Sequence, residues 1–209
     1  MDNYYPSKAI FLICLDSCIR RNDKEEWSGY MRSYVVFSSM GPDRPGLVRE
    51  IAEFFSARGI NIERSRGCVL GNEFGMVILT SGKNDNVEQL INDLDILREK
   101  TGLDIYIRKT KAPLHREVLP SIPYKLIAIS IDRPGIIHQI CKVLHDRKIN
   151  IEDILTNVDH DPASGANVFH MLCYFSLPPA VKIVDLKNAI TRISDEYNID
   201  IRFDAVINK

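Results

Sequence analysis

The chain has 209 residues, which is enough for one large domain or two small ones. Its 27 basic and 28 acidic residues give a formal net charge of −1 at pH 7, so the chain as a whole does not attract nucleic acid or an anionic membrane. The five cysteines have no zinc-ligand spacing and indicate reduced thiols in a cytoplasmic protein; they are Cys14, Cys18, Cys68, Cys141 and Cys173.

The first 30 residues differ in pattern from the rest of the chain. Residues 9–19 are mostly apolar, but Asp16 interrupts the run, and it is shorter than the roughly 20 residues that cross a bilayer. Lys8 before this run fits a secretory signal, whereas no small-residue cleavage site follows it. We therefore interpret residues 1–30 as an N-terminal appendage, either sequence before the true start or a short helix that docks on the folded body.

A first regular unit extends over residues 31–110. Four strands are predicted in it from β-branched, aromatic and alternating apolar residues, at 32–40, 60–70, 74–82 and 103–109. Two amphipathic helices lie between them, the first ended by Gly59 and the second, over 84–102, by Gly102. The apolar residues expected on their inner faces are Leu47, Ile51, Phe54, Phe55, Val87, Leu90, Ile91, Leu94 and Leu97.

A second unit, over residues 123–209, repeats this order after a linker at 111–122 that contains Pro113 and Pro120. Its strands are predicted at 123–131, 149–157, 166–177 and 199–207. One helix follows the first of these strands, and another covers residues 180–197. The apolar residues expected on the inner faces of the two helices are Ile136, Ile137, Ile140, Val143, Leu144, Ile183, Leu186, Ile190 and Ile193.

Two separate matches place the units in one register. The stretch "DRPG" at 43–46 recurs 89 residues later at 132–135, and "INIE" at 60–63 recurs 89 residues later at 149–152. Such agreement indicates a tandem duplication. The order strand, helix, strand, strand, helix, strand predicts an α+β fold of two ferredoxin-like domains, each an antiparallel sheet with helices on one face.

The repeated "DRPG" lies where a strand passes into a helix. Asp43 is expected to cap the helix, Pro45 fits its first turn, and Gly46 leaves room for a close approach to the backbone. Free N–H groups at a helix start favour an anion such as a carboxylate. Asn61 can both donate and accept, so with Asp43 it could hold an ammonium group. Alternatively, the stretch is only a capped turn and Asn61 only ties the start of a strand.

A further loop, at 157–167, contains Asp159, His160 and Asp161, which could suggest a metal site. Pro162 and Gly165 favour a solvated turn instead, and we expect no metal and no cofactor. The chain also lacks a P-loop, a dinucleotide fingerprint, a zincin motif and a nucleophile elbow, which argues against an enzyme.

The segments "GPDRPGLVREIAEFFSARGINIE" and "IDRPGIIHQICKVLHDRKINIE" resemble the signature of ACT domains, small ferredoxin-like modules that bind amino acids and regulate metabolism. The free-standing tandem is most similar to the glycine cleavage system transcriptional repressor family. In ACT domains the effector lies against the strand-to-helix turn, near an interface between two such domains. The ligand-binding residues that the resemblance implies are Asp43, Arg44, Pro45, Gly46, Leu47, Asn61, Asp132, Arg133, Pro134, Gly135, Ile136 and Asn150.

The resemblance implies a non-enzymatic regulatory protein that senses a small amino acid, with glycine or serine as the expected effector. Because the helices are separated by strands, no helix-turn-helix pattern is present, and we expect no direct contact with nucleic acid. A partner regulatory protein would then carry the effect to transcription of glycine, one-carbon or amino-acid metabolism. No membrane is expected as a partner, and a homodimer is compatible with the sequence. The main alternative is a structural interaction module whose sheet edges pair with another chain and which binds no ligand. A third possibility is an enzyme with unusual residues, which would require titratable groups that converge in a pocket.

Overall fold

The computed structural model describes residues 32–112 and 121–206. The appendage predicted at 1–30 and most of the predicted linker lie outside the described residues. The chain divides into two compact units, Met1–Leu114 and His115–Lys209. The domain boundaries 31–110 and 123–209 stay a prediction.

The first unit has the predicted order of elements, except that two helices stand in place of the second predicted helix. In chain order these are β1 (Arg32–Pro42), α1 (Leu47–Ser56), β2 (Asn61–Leu70), β3 (Glu73–Lys83), α2 (Asn84–Asn92), α3 (Leu94–Thr101) and β4 (Asp104–Thr110). The strands form one sheet in the order β2-β3-β1-β4, and every neighbouring pair is antiparallel.

The core of this unit lies between one face of the sheet and the helices. Val35 and Phe37 alternate along β1 with less buried residues and point to the same face. The Phe37 ring packs edge-on against that of Phe55 in α1, with 5.1 Å between the ring centroids. The predicted helix residues are buried here, apart from Ile91, which is only partly buried.

The second helix of the first unit differs from the prediction of one continuous helix over 84–102. Two helices, α2 and α3, meet at Asp93, whose backbone angles (φ −93°, ψ 5°) depart from the α-helical region. Arg58, at the end of α1, holds the Asp93 carboxylate through Nε at 2.9 Å. The predicted end is confirmed, since Gly102 stops α3 in the left-handed region at φ 72°.

The second unit repeats the arrangement with one long helix in place of α2 and α3. In chain order its elements are β5 (Ile122–Ile131), α4 (Ile136–Asp146), β6 (Ile151–His160), β7 (Asn167–Leu177), α5 (Ile183–Tyr197) and β8 (Asp200–Ala205). The strand order is β6-β7-β5-β8, again antiparallel throughout. The α+β fold of two ferredoxin-like domains is therefore confirmed.

Burial in the second unit follows the prediction except at three positions: Val143 and Ile183 are only partly buried, and Ile137 is exposed. Ile136, Ile140 and Leu144 lie four residues apart on α4 and are buried. Ile137, also predicted to face inward, is 41% exposed. It follows Ile136 directly, so it points about 100° around the helix from the buried row.

Candidate ligand-binding turns

Two matching turns carry the site residues that the sequence predicts. We call residues 43–46, between β1 and α1, turn 1, and residues 132–135, between β5 and α4, turn 2. Turn 1 ends at Gly46 with φ 96° and ψ −11°, and turn 2 ends at Gly135 with φ 100° and ψ −13°. Both values lie in the left-handed region, where a side chain is strained. The two copies therefore share one backbone conformation that requires glycine.

The sequence interpretation of turn 1 was wrong in two respects. Gly46, not Asp43, occupies the N-cap position, and no side chain caps either helix. Pro45 precedes the N-cap and so lies outside the helix. Asp43 acts instead through its backbone, donating from N–H to the Asn72 carbonyl at 2.9 Å. In turn 2, Asp132 N–H donates to the Asn167 carbonyl at 2.8 Å, which ties each turn to the β-hairpin beside it.

The start of each helix presents free backbone donors. The first helical hydrogen bond in α1 runs from Glu50 N–H to the Gly46 carbonyl, and in α4 it runs from Gln139 N–H to the Gly135 carbonyl, both at 3.0 Å. The N–H groups of residues 47–49 and 136–138 come before these bonds and have no intrahelical acceptor. Together with the helix dipole, they favour a carboxylate at each turn.

The side chains around these donors divide into an inner and an outer set. Leu47 and Ile136 are buried and anchor the first residue of each helix to the core. The remaining residues of both turns are exposed: Asp43, Arg44, Pro45, Gly46, Asp132, Arg133, Pro134 and Gly135. Solvent therefore reaches both turns, as an exchanging ligand requires.

Asn61 does not lie beside turn 1 of its own unit, contrary to the interpretation that it forms one cradle with Asp43. Asn61 pairs with Ser81 of β3, and Ser81 pairs with Tyr34 near the start of β1. Turn 1 follows the other end of β1, where Pro42 pairs with Glu73. The eight residues from Tyr34 to Pro42 correspond to about 26 Å along the strand. The two residues therefore lie at opposite ends of the sheet.

Asn150 shows the same separation from turn 2. It precedes Ile151, which pairs with Phe175 and through it with Tyr124, while turn 2 follows Ile131 at the other end of β5. Asn150 is exposed. Asn61 is occupied locally, because its side-chain amide donates to Glu63 Oε1 at 2.8 Å.

Sequence comparison agrees with this fold in both units. The sequence models of the ACT domain family match residues 33–108 and residues 125–185. Each match includes one turn and the helix that follows it. The chain is a tandem ACT-domain protein. We refer to its units below as the first and the second ACT domain.

The similar proteins agree with the tandem arrangement. The glycine cleavage system transcriptional repressor of Escherichia coli K12 is 25% identical over 165 residues, covering 79% of this chain and 86% of that protein. An unknown protein from Galdieria sulphuraria has a TM-score of 0.70 at 23% identity and covers 85% of this chain and all of its own. A crystal structure of a putative glycine cleavage system transcriptional repressor has a TM-score of 0.64 at 19% identity and covers 85% and 99% of the two chains.

The two turns differ in charge, which the resemblance alone does not reveal. In the first ACT domain, Arg44 donates from both terminal nitrogens to the Glu50 carboxylate, at 3.0 and 2.7 Å. This pair lowers the pKa of Glu50 and raises that of Arg44. Position 139 of the second ACT domain, 89 residues after Glu50, holds Gln139. Turn 2 therefore lacks the carboxylate that stands beside turn 1.

Arg133 in turn 2 has a different environment from Arg44. Its guanidinium lies 5.7 Å from the centroid of the Tyr197 ring, and it makes no ion pair with a described residue. Its charge is thus available to an anion at turn 2. The signal in the sequence is the difference between positions 50 and 139 of the repeat, where Glu50 is matched by Gln139.

Other groups with chemical potential are accounted for locally. The Asp161 carboxylate accepts from Ala163 N–H at 3.0 Å and from the Ser164 hydroxyl at 2.6 Å, which lowers its pKa and fits a solvated turn. Burial raises the pKa of the Cys173 thiol to about 12, so this thiol is not a nucleophile at neutral pH. Within residues 32–112 and 121–206, no cluster of three His, Cys, Asp or Glu could hold a metal.

The outer strands of the two sheets bear on the alternative function. β2 and β6 are edge strands of their sheets, and most of their side chains are exposed. Edge strands with exposed side chains can pair with another chain. In the described part of the chain, no helix is long and apolar enough to cross a bilayer.

Proposed function

We propose that this tandem ACT-domain protein is a non-enzymatic regulator that senses a small amino acid. The observation that carries the proposal is the repetition of one glycine-dependent turn, with three helix N–H donors, in both domains. A carboxylate is the group of a free amino acid that these donors fit. The exposed Asp43 and Asp132 carboxylates can attract the ammonium group.

The curated relative suggests the process that is regulated. Because the Escherichia coli protein is named a glycine cleavage system transcriptional repressor, we propose glycine or serine as the effector. We further propose that a partner regulatory protein transmits the effect to transcription of glycine, one-carbon or amino-acid metabolism. The net charge of −1 supports action through a partner rather than by direct binding to nucleic acid.

The two turns should bind the effector unequally. Glu50 places a carboxylate beside turn 1 and neutralises Arg44, whereas Gln139 leaves the charge of Arg133 uncompensated at turn 2. The Arg44–Glu50 pair has no net charge to attract a carboxylate, whereas the positive charge of Arg133 does attract one. Turn 2 is therefore the tighter site in this proposal.

Titration calorimetry of the full chain against the twenty amino acids tests the sensing function. We expect at least one small amino acid to bind, Gly135→Ala to weaken this binding strongly, and Gly46→Ala to weaken it less. The alanine methyl at Gly46 would have nothing closer than Glu50 Oε1 at 3.8 Å, so the substitution strains the turn without a clash. No heat with any of the twenty amino acids would remove the sensing function.

The exposed edge strands favour a second candidate, a structural interaction module that binds no ligand. A pull-down from the native host with and without amino acids separates the two. A partner that binds equally well in both conditions supports the module, whereas a partner whose binding depends on the effector supports the sensor.

A further inference from the structure

The tandem repeat provides an internal comparison on the helix side of the two domains. Arg58 at the end of α1 and Arg147 at the end of α4 are 89 residues apart. Each donates from Nη1 to the carbonyl four residues earlier, Phe54 or Val143, at 3.0 Å. The two arginines therefore begin from the same backbone position in their domains.

In the first ACT domain, this arginine is fully engaged. Its Nε and Nη2 lie 2.9 and 2.8 Å from the Asp93 carboxylate at the N-cap of α3. Its guanidinium also covers the Phe54 ring, 3.6 Å from the centroid. The side chain is only 13% exposed. The space between the two helices is thus closed by a salt bridge over an aromatic ring.

In the second ACT domain, both partners of the arginine are replaced. The hairpin between β6 and β7 is longer than its counterpart, so the helices that follow are 96 residues apart, as their ends at Gly102 and Asn198 show. Ala189 therefore takes the position of Asp93, and Val143 takes that of Phe54. The carboxylate that holds Arg58 is thereby replaced by a methyl group, and the ring that Arg58 covers is replaced by a smaller side chain.

A cavity of about 620 Å³ lies at this place. Arg147, Lys182 and Arg192 contribute three positive charges to its lining, and Asp146 and Asp185 two negative ones. Asp146 is already bound by Lys142 Nζ at 2.6 Å, which lowers its pKa. Lys182 is the N-cap residue of α5, and Asp185, Asn188 and Arg192 follow on one face of that helix.

We propose that this cavity binds a small phosphorylated molecule. Like charges that face one cavity repel each other, and an anion between them removes the repulsion. Two arginines suit phosphate because the planar guanidinium can donate to two of its oxygens. A volume of about 620 Å³ exceeds that of a single phosphate and is within the range of small-molecule sites. The site lies apart from turn 2 and does not depend on the proposed amino-acid function.

Calorimetry of the full chain with inorganic phosphate at low ionic strength tests this site. We expect phosphate to bind and Lys182→Asp to weaken it by at least about tenfold, since one charge-assisted contact is lost and an acid takes its place. Lys187→Asp is the matched control, because it makes the same change in charge on α5 outside the cavity. It should change the affinity by less than about threefold.

Three further variants test whether phosphate binds at this cavity. Ala189→Asp should raise the melting temperature without phosphate, since it recreates with Arg147 the pair that Arg58 forms with Asp93. Lys182→Gln should also weaken phosphate binding, and it does so without adding a negative charge. Gly135→Ala should leave phosphate affinity unchanged. The proposal is overturned if the unaltered chain does not bind phosphate, if Lys187→Asp weakens binding as much as Lys182→Asp, or if succinate binds as tightly as phosphate.

Discussion

Gly59 and Lys148 occupy equivalent positions in the two domains and adopt the same backbone conformation. Each follows the first helix of its domain in the left-handed region, at φ 62° and φ 55°. The N–H group of each donates to the carbonyl three residues earlier, that of Ser56 or His145. The N–H group of the following residue donates to the carbonyl five residues before it. This is a Schellman ending, which glycine adopts without strain and lysine does not.

Lys148→Gly should therefore stabilise the second ACT domain. We expect the free energy of unfolding to rise by about 1 kcal/mol, because the strain of a side chain in the left-handed region is removed. Urea denaturation measures the change. Gly59→Ala is the reverse control and should destabilise, since its methyl would also lie 2.7 Å from Asn86 Nδ2. A loss of stability in Lys148→Gly would contradict this account.

Ser39 is a second position where the repeat predicts the effect of a substitution. Its side chain is 95% buried, and its hydroxyl has no hydrogen-bond partner within the described residues. The matching position in the second domain holds Ala128. Ser39→Ala should raise the free energy of unfolding by roughly 1 kcal/mol, because burial of an unsatisfied hydroxyl is unfavourable.

Thermal unfolding of Ser39→Ala beside Thr80→Val checks this expectation. Thr80 is also fully buried, but its hydroxyl donates to the Val35 carbonyl at 3.3 Å. The valine variant should therefore lose stability while the alanine variant gains it. Destabilisation of both would show that the Ser39 hydroxyl has a partner of its own.

At the scale of elements, the periodicity of apolar residues predicts the strands and the first helices. It does not predict a helix break that depends on a contact between residues distant in the chain. The strands and the first helices follow from alternating and 3.6-residue patterns, and the structure confirms them. The break between α2 and α3 coincides with Asp93, which is held by Arg58, 35 residues away in the chain. No local pattern of apolar residues could show such a break, since Leu90, Leu94 and Leu97 remain buried across it.

The start of α1 predicts a dependence of stability on pH. The hydrogen bonds from Arg44 lower the pKa of Glu50 below its ordinary value of 4.5, so the folded chain favours the charged carboxylate more than the unfolded chain does. This contribution is present above pH 4.5 and is lost as the pH falls through the lower pKa of the folded state.

Glu50→Gln should remove that dependence. The unaltered chain should lose more stability than the variant between pH 6 and pH 3, as measured by urea unfolding at each pH. Asp95→Asn, at an exposed i,i+3 pair with Arg98, is a control that leaves Glu50 in place. Parallel curves for the unaltered chain and Glu50→Gln would mean that the Arg44 pair does not couple folding to protons.

At the scale of the whole molecule, the duplication predicts the fold, but not the full geometry of the site. The repeat of 89 residues leads directly to two ferredoxin-like domains. The predicted place of Asn61 is wrong because nearness to turn 1 in sequence does not mean nearness in space. β1 and β2 are both antiparallel to β3, so α1 carries the chain back to the other end of the sheet. The charge of each turn depends on residues 50 and 139, which lie outside the repeated motifs.

The central claim is that an amino-acid carboxylate binds at the starts of α1 and α4. A ¹⁵N–¹H correlation spectrum of the full chain, recorded as the effector identified by calorimetry is added, tests it most directly. We predict the largest shifts at the N–H groups of residues 136–138, with smaller shifts at 47–49, since these groups precede the first helical hydrogen bonds. Shifts confined to other parts of the chain, or none with any of the twenty amino acids, would contradict the account.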